Sequence, residues 1–356
     1  MRAFYFIILI CFVSKLSVAQ KNVLLEKFTN VHCGQCPNAS LIIQEYQETY
    51  PNLIWVSHYK QVSFDWSPLP NEESALLWAD INVWGNPTAM FDRTPIGNDL
   101  ITTTPNWQAL IDTQSEMPAD VDISFDNLDY DEVTRDVTFD VNLRFATVAD
   151  AAQYRILAYA VEDDVQWRQK SYYNNVSGHP LEGLGEYIET YQHQNVVRSM
   201  ISGRWGTWDG LPDAIEPGVT LTKRFTHKIR YDYNEHKTKI VVAVAKHHET
   251  DMFQRSILNS AGFAMSDFVA SSLEEEGGES VHQFDAYPNP ARHTLTLEHV
   301  VIPDEIQIIA LDGKVVSAFT PSGQVSQIDL AGLSAGIYSI QVRLGDQVGA
   351  KRLVVE

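Results

Sequence analysis

Cysteine is scarce in this 356-residue chain: Cys11, Cys33 and Cys36 are the only three. Cys11 lies in an N-terminal apolar stretch, which leaves a single pair for the folded protein. One disulfide cannot staple a chain of this length, so ordinary apolar cores must hold its domains together. Basic residues are also in deficit, with 26 Lys and Arg against 46 Asp and Glu. Setting aside Arg2 and Lys15 with the N-terminal stretch leaves 24 against 46, a formal charge of −22. That balance argues against a nucleic-acid partner, because phosphate binding needs clustered Lys and Arg. Beyond residue 19 no apolar run approaches about 20 residues, so no transmembrane segment is expected in the mature chain. A Gly-rich phosphate loop, Gly-x-Ser-x-Gly and His-Glu-x-x-His are all missing, which removes the starting residue of the common hydrolase mechanisms. No cofactor is expected.

What is present begins with a leader. Residues 1–19 carry Arg2, an apolar stretch from Phe4 to Val13, and Ser17-Val18-Ala19 as a small-x-small cleavage site, and they read as a secretory signal peptide. Ile10 before Cys11 is too large for a lipidation signal.

The remaining cysteines form Cys33-Gly34-Gln35-Cys36. Val23 to Thr29 is rich in β-formers and predicts a buried strand. After the pair, Pro37 suits a first helical turn, and Leu41, Ile42, Ile43, Tyr46 and Tyr50 recur near helical spacing until Pro51. A cysteine pair at a strand-to-helix junction meets unpaired N–H groups and about half a positive charge, which favours a thiolate at Cys33. Cys33 is then the attacking sulfur and Cys36 the resolving one. An inert structural disulfide is the bland alternative, and a Cu(I) or Zn(II) site using Cys33, Cys36, His32 and His58 is another. Two thiolates make only half a structural zinc site, so no metal is assigned; His32 is read as a pKa tuner of the pair.

Leu53 to Tyr59 predicts a second strand, Asn71 caps a helix opened by Glu72 and Glu73, Pro87 to Phe91 predicts a third strand, and Thr104 opens a short helix. From Ala119 the pattern alternates, as in Val121 to Phe125 and Val137 to Phe145, and strand-like runs continue to Ala245, which predicts an antiparallel β-sandwich. Trp167 to Pro217 is a long polar and aromatic interruption of the kind that is functional or poorly ordered more often than structural. His247-His248-Glu249, the acidic pairs Asp163-Asp164 and Asp129-Tyr130-Asp131, and the aromatics Trp167, Tyr172, Tyr173, Trp205 and Trp208 are weaker candidates for a ligand. An acidic, glycine-bearing linker then precedes a module of short strands broken by Gly, Pro and Asp.

Three resemblances follow. The strand–Cys-x-x-Cys–helix order, with Gly85-Asn86-Pro87-Thr88-Ala89-Met90-Phe91, resembles the thioredoxin-like superfamily. That resemblance implies a cis Pro87 against the cysteine pair, with Asn86 and Thr88 beside it in substrate binding. Two departures stand out: His32 replaces the Trp usual before the first cysteine, and Lys27 or Glu26 is the nearest counterpart of the Asp usually buried under the pair. Val23 to Pro37 together with His193 to Arg198 and Gly203-Arg204-Trp205-Gly206 resembles the Omp-twenty-eight-related outer membrane protein family of Bacteroidetes over roughly residues 21–265. Tyr287-Pro288-Asn289-Pro290, Asp312-Gly313-Lys314, Leu333 to Tyr338 and Lys351 to Val355 resemble the type IX secretion C-terminal sorting domain, which implies that the type IX machinery is a partner.

The expected layout is a signal peptide (1–19), an α/β thioredoxin-like domain (20–117), an antiparallel β-sandwich (118–270), an acidic linker (271–283) and a small C-terminal Ig-like β-sandwich for sorting (284–356). The expected function is thiol–disulfide exchange with protein thiols or disulfides at the outer membrane surface or outside the cell. The alternative is a surface adhesin or binding protein using the fold as a scaffold, or a Cys/His metal-binding protein.

Overall fold

A computed structural model describes residues 20–61, 67–132, 134–267, 284–299, 302–310, 314–323, 325–344 and 347–355. The expected signal peptide and acidic linker lie outside these residues, as do Asp312 and Gly313. The chain divides into two compact units between Val269 and Ala270.

In the first unit, β1 (Val23–Thr29) is buried along its whole length. Its side chains alternate between two cores: Val23 and Leu25 join one, Leu24 and Phe28 the other. Helix α1 (Cys36–Thr49) follows, then β2 (Leu53–Tyr59), which pairs parallel to β1. Helix α2 (Glu72–Asp80) starts on Asn71, whose side chain accepts from the Ser74 N–H. Its first-turn Glu72 and Glu73 suit the positive end of the helix dipole. Strand β3 (Thr88–Phe91) then returns antiparallel to β1, and α3 (Trp107–Ser115) closes this part against the Val23 core.

The expected boundary at 117/118 does not separate two packing units. One seven-stranded sheet runs in the order Ile257–Ala264, Thr238–Lys246, Tyr154–Glu162, Val196–Met200, β2, β1, β3. The join is parallel, at Val196 opposite Ser57, with the Ser57 N–H donating to Asn195 O at 2.6 Å. Without that strand, β2 would present an open row of backbone donors and acceptors. The physical reason is therefore edge protection, which alternation within 118–270 does not reveal.

Strands Tyr154–Glu162 and Thr238–Lys246 are buried on both faces, which explains their nearly continuous apolar runs. Ile156, Ala158, Ile240 and Val242 face a three-stranded sheet of Thr220–Lys228, β5 (Asp136–Phe145) and β4 (Val121–Asp131). Leu157, Tyr159, Val241 and Ala243 face the core beneath α2. Gly203-Arg204-Trp205-Gly206 serves that packing: Arg204 pairs with Glu73 and Asp80, and the Trp205 indole N–H donates to Asp80 at 3.0 Å. Gly206 has φ +79°, and a Cβ there would stand 2.7 Å from Ile156 O.

The second unit holds a three-stranded and a four-stranded sheet, each antiparallel. Leu295, Leu297 and Ile328 from one and Ile306, Ile308, Ile340 and Leu353 from the other share a single core. Among the described residues no helix is long and apolar enough to cross a membrane.

Candidate functional site

Cys33 and Cys36 are joined by a disulfide between β1 and α1. Helix α1 begins at Cys36, so Cys33 stands one turn ahead of it, its N–H bonded to Asn30 O at 3.2 Å and its carbonyl accepting from the Cys36 N–H at 3.2 Å. Both cysteines are buried: Cys33 is 8% exposed and Cys36 2%.

The Asn86–Pro87 bond is cis and Pro87 is buried. Asn86 Nδ2 donates to Cys36 Sγ at 3.5 Å, and Asn86 Oδ1 accepts from Asn30 Nδ2 at 3.1 Å. Thr88 turns its hydroxyl to Gly85 O at 2.9 Å, which fixes the loop ahead of β3. The structure thus brings Asn86 to the cysteine pair and leaves Thr88 a loop-fixing residue. His32 lies at the rim, with Nδ1 3.2 Å from the Tyr187 hydroxyl. His58 is not with the cysteines. It is fully buried on the other face of the sheet, bonded to Ser74 Oγ at 2.9 Å and Glu26 Oε1 at 3.3 Å. A strand alternates faces, and His58 falls on the face opposite α1. Among the described residues no cluster of three His, Cys, Asp or Glu side chains is placed to hold a metal ion.

The cover over the pair comes from the long interruption. Gln169 Nε2 donates to Cys33 O at 2.9 Å, the Lys170 N–H to Val31 O at 2.8 Å, and the Tyr172 N–H to Gly34 O at 2.9 Å. The Tyr172 ring lies on Gly34 so closely that a Cβ at Gly34 would overlap it. His179 Nε2 reaches Asn38 Oδ1 on α1 at 2.8 Å. Trp167 packs beside Val31, Tyr59 and Leu69. Trp167 and Tyr172 therefore dress the cysteine loop, whereas Trp205 packs against α2 and Trp208 lines a separate cavity beside Arg155 and Thr207.

Beneath the pair the interior is polar. Lys27 Nζ donates to Ser40 Oγ at 2.7 Å, and Ser40 Oγ donates to Cys36 O at 3.3 Å. Burial pushes the Lys27 amine down to about 7. Tyr59 donates to His193 Nδ1 at 2.8 Å while His193 Nε2 faces Trp167 O at 3.2 Å, and burial pushes the imidazole down to about 3. On the opposite face Glu26 is also fully buried. Burial opposes its ionisation, but the Arg93 guanidinium, with hydrogen bonds of 2.8 and 2.9 Å, and His58 outweigh it and hold the carboxyl well below the usual range.

Sequence reading does not single out Gln169 or Ser40; for the place beneath the pair the resemblance leaves Lys27 or Glu26, and the structure puts Lys27 on the side of α1 and Glu26 on the opposite face. The signal for Lys27 is its position in an otherwise β-forming, buried run; nothing local marks Gln169.

Fold and site together define a β-rich protein of more than one domain with a covered cysteine pair. Residues 75–260 match the model of the family described as Outer membrane protein Omp28, and the chain belongs to that family. The cysteine pair precedes the matched stretch. Residues 285–356 match the Secretion system C-terminal sorting domain. Family and sorting tail mean export to the cell surface or beyond. No curated protein matches the sequence. Among solved structures HBP35 of Porphyromonas gingivalis is similar over 95% of this chain and 99% of its own, at 16% identity and a TM-score of 0.53, which is a likeness of fold. Red sea bream transglutaminase matches at 11% identity over 76% of this chain and 37% of its own, with a TM-score of 0.17. The native alpha-2-macroglobulin of E. coli matches at 12% identity over 66% and 17%, with a TM-score of 0.21. Scores that low describe no common fold.

Proposed function

We propose that the chain is an exported thioredoxin-like protein that exchanges disulfides with protein substrates through Cys33 and Cys36. The observation that carries this reading is the Cys33–Cys36 disulfide at the β1–α1 junction with Asn86, beside a cis Pro87, bonded to Cys36 Sγ. Cys33 is the more exposed of the two cysteines, and its sulfur attacks a substrate disulfide to give a mixed disulfide; Cys36 then attacks Cys33 and releases the substrate thiol. Pro87 and its neighbours present the docking edge, and His32 tunes the rim. In this reading residues 20–117 supply the thioredoxin-like core and 118–270 a β-sandwich that shares its sheet. Residues 284–356 form the small Ig-like sandwich addressed to the type IX machinery.

The test is the reduction potential of the pair in thiol–disulfide buffers. A value between about −270 and −120 mV belongs to a working oxidoreductase, whereas one below about −300 mV belongs to a structural disulfide and overturns the reading. The cover over Cys33 favours a second reading, a binding scaffold with a fixed disulfide. For that protein, replacing both cysteines by serine leaves surface binding intact and costs only stability.

A further inference from the structure

Lys27 is the anomaly of the interior. It is 1% exposed, and no carboxylate of the described residues forms an ion pair with it. An ammonium taken out of water without a counter-ion is costly, so a buried lysine needs either an anion or a neutral state. Among the described residues its surroundings offer no permanent anion. From α1 it meets Ser40, one turn beyond Cys36. From β2 it meets the Trp55 ring at 5.0 Å, and from β3 Ala89 stands opposite it. From the covering segment come His193 and Tyr191, the latter bonded to Ser40. Burial keeps His193 neutral near pH 7 and raises Tyr191 above the ordinary phenol range. Glu26, next in the chain, points to the opposite face and is taken by Arg93. The remaining group able to bear negative charge there is a cysteine sulfur, and only when the disulfide is open.

We propose that Lys27 is the counter-ion of a Cys36 thiolate in the reduced protein and gives up its proton when the disulfide closes. It acts through Ser40, whose hydroxyl touches both Lys27 Nζ and the Cys36 main chain, and is therefore a positioning residue. In the closing step the Cys36 thiolate attacks the Cys33 sulfur of a mixed disulfide. The Cys33–Cys36 bond forms, the bond from Cys33 to the substrate sulfur breaks, and its electron pair leaves with the substrate thiolate. Lys27, left without an anion, releases its proton, and the substrate departs as a thiol. Charge is zero before and after. Beneath the closed disulfide burial holds the Lys27 amine at about 7, where it gives up its proton readily.

The inference rests on the exchange reading, yet one experiment separates the two. The full mature chain, labelled with carbon-13 at lysine Cε, is titrated by NMR with the disulfide closed and again in excess dithiothreitol. One lysine titrating near pH 7 in the oxidised protein, far below the ordinary lysine range, identifies Lys27 without a mutation. The expected result is that its midpoint moves upward by a unit or more on reduction, because a thiolate that favours the ammonium is favoured by it in return. A midpoint unchanged in a fully reduced protein overturns the Lys27 assignment and leaves exchange standing. A pair that resists reduction overturns both. As a second readout, K27M is equilibrated with glutathione across pH 6 to 9. Wild type is expected to hold a reduced-to-oxidised ratio higher than K27M by about tenfold for each unit by which reduction moves the lysine, in full below the lower midpoint and lost as pH rises through the interval between the two. Identical pH profiles for wild type and a folded K27M overturn the proposal, since a purely structural lysine changes stability and not this profile.

Discussion

Gln169 Nε2 donates a 2.9 Å hydrogen bond to the main-chain oxygen of Cys33, a residue 136 positions earlier. With the Lys170 and Tyr172 N–H groups it lays a strap of main chain along residues 31–34. On the exchange reading proposed above, a protein substrate reaches Cys33 only when this strap lifts, so local opening would control access.

Loosening the strap is the first prediction. Q169A removes a buried hydrogen bond worth about 1 kcal/mol net, so the open state rises about fivefold. Y172A adds to this by uncovering Gly34. The rate of disulfide reduction at limiting dithiothreitol is expected to rise in each variant and furthest in the double variant, with far-UV circular dichroism unchanged. Equal rates in wild type and double variant would show that the strap does not gate the pair.

Asn86 makes the second. Its amide donates to Cys36 Sγ, and such a bond favours a thiolate more than a disulfide sulfur. N86A is therefore expected to lower the reduction potential by roughly 20 mV, the equivalent of about 1 kcal/mol. Glutathione equilibration measures it; a potential that rises contradicts the assigned bond.

The buried pair of Glu26 and Arg93 sets a third. Removing the guanidinium in R93A strands a carboxylate that is fully enclosed, and stability is expected to drop by about 3–5 kcal/mol. R93A E26Q leaves no unpaired charge and should recover part of that loss. Urea unfolding of the three proteins checks the order.

A fourth concerns pH. His193 has an ordinary value of 6.5 and is pushed down to about 3 in the fold. Between those values the unfolded chain binds a proton that the folded one does not, so stability falls as pH falls through that window. This contribution is expected to vanish in H193Q, and denaturant midpoints at pH 7 and pH 4 for both proteins measure it. Equal pH slopes in wild type and H193Q would exclude a buried neutral His193.

Much of this was legible in the residues. Val23 to Thr29, the helix after Pro37, the cap at Asn71 and the strand after Pro87 follow from local propensity and punctuation, and the structure has each of them. The contact of Asn86 with the sulfur was not legible, because it depends on β1 and β3 lying side by side. His58 illustrates the limit from the other side: it sits at the end of a correctly placed strand, yet the pleat turns it toward Glu26 and away from the cysteines.

By itself the sequence determined the strands and helices as far as Ser115, the cysteine pair at its junction and the sorting tail, since each is carried by neighbouring residues. Only the tertiary structure decided that β2 is covered by Val196, so that two expected domains share one sheet. It alone decided that Gln169 bonds the Cys33 carbonyl while Tyr172 covers Gly34, and that Lys27, with no ion-pair partner among the described residues, reaches Ser40 one turn beyond Cys36. Those relations join segments separated by up to about 140 residues, and they are set by the burial of sheet edges and faces, for which no local periodicity exists.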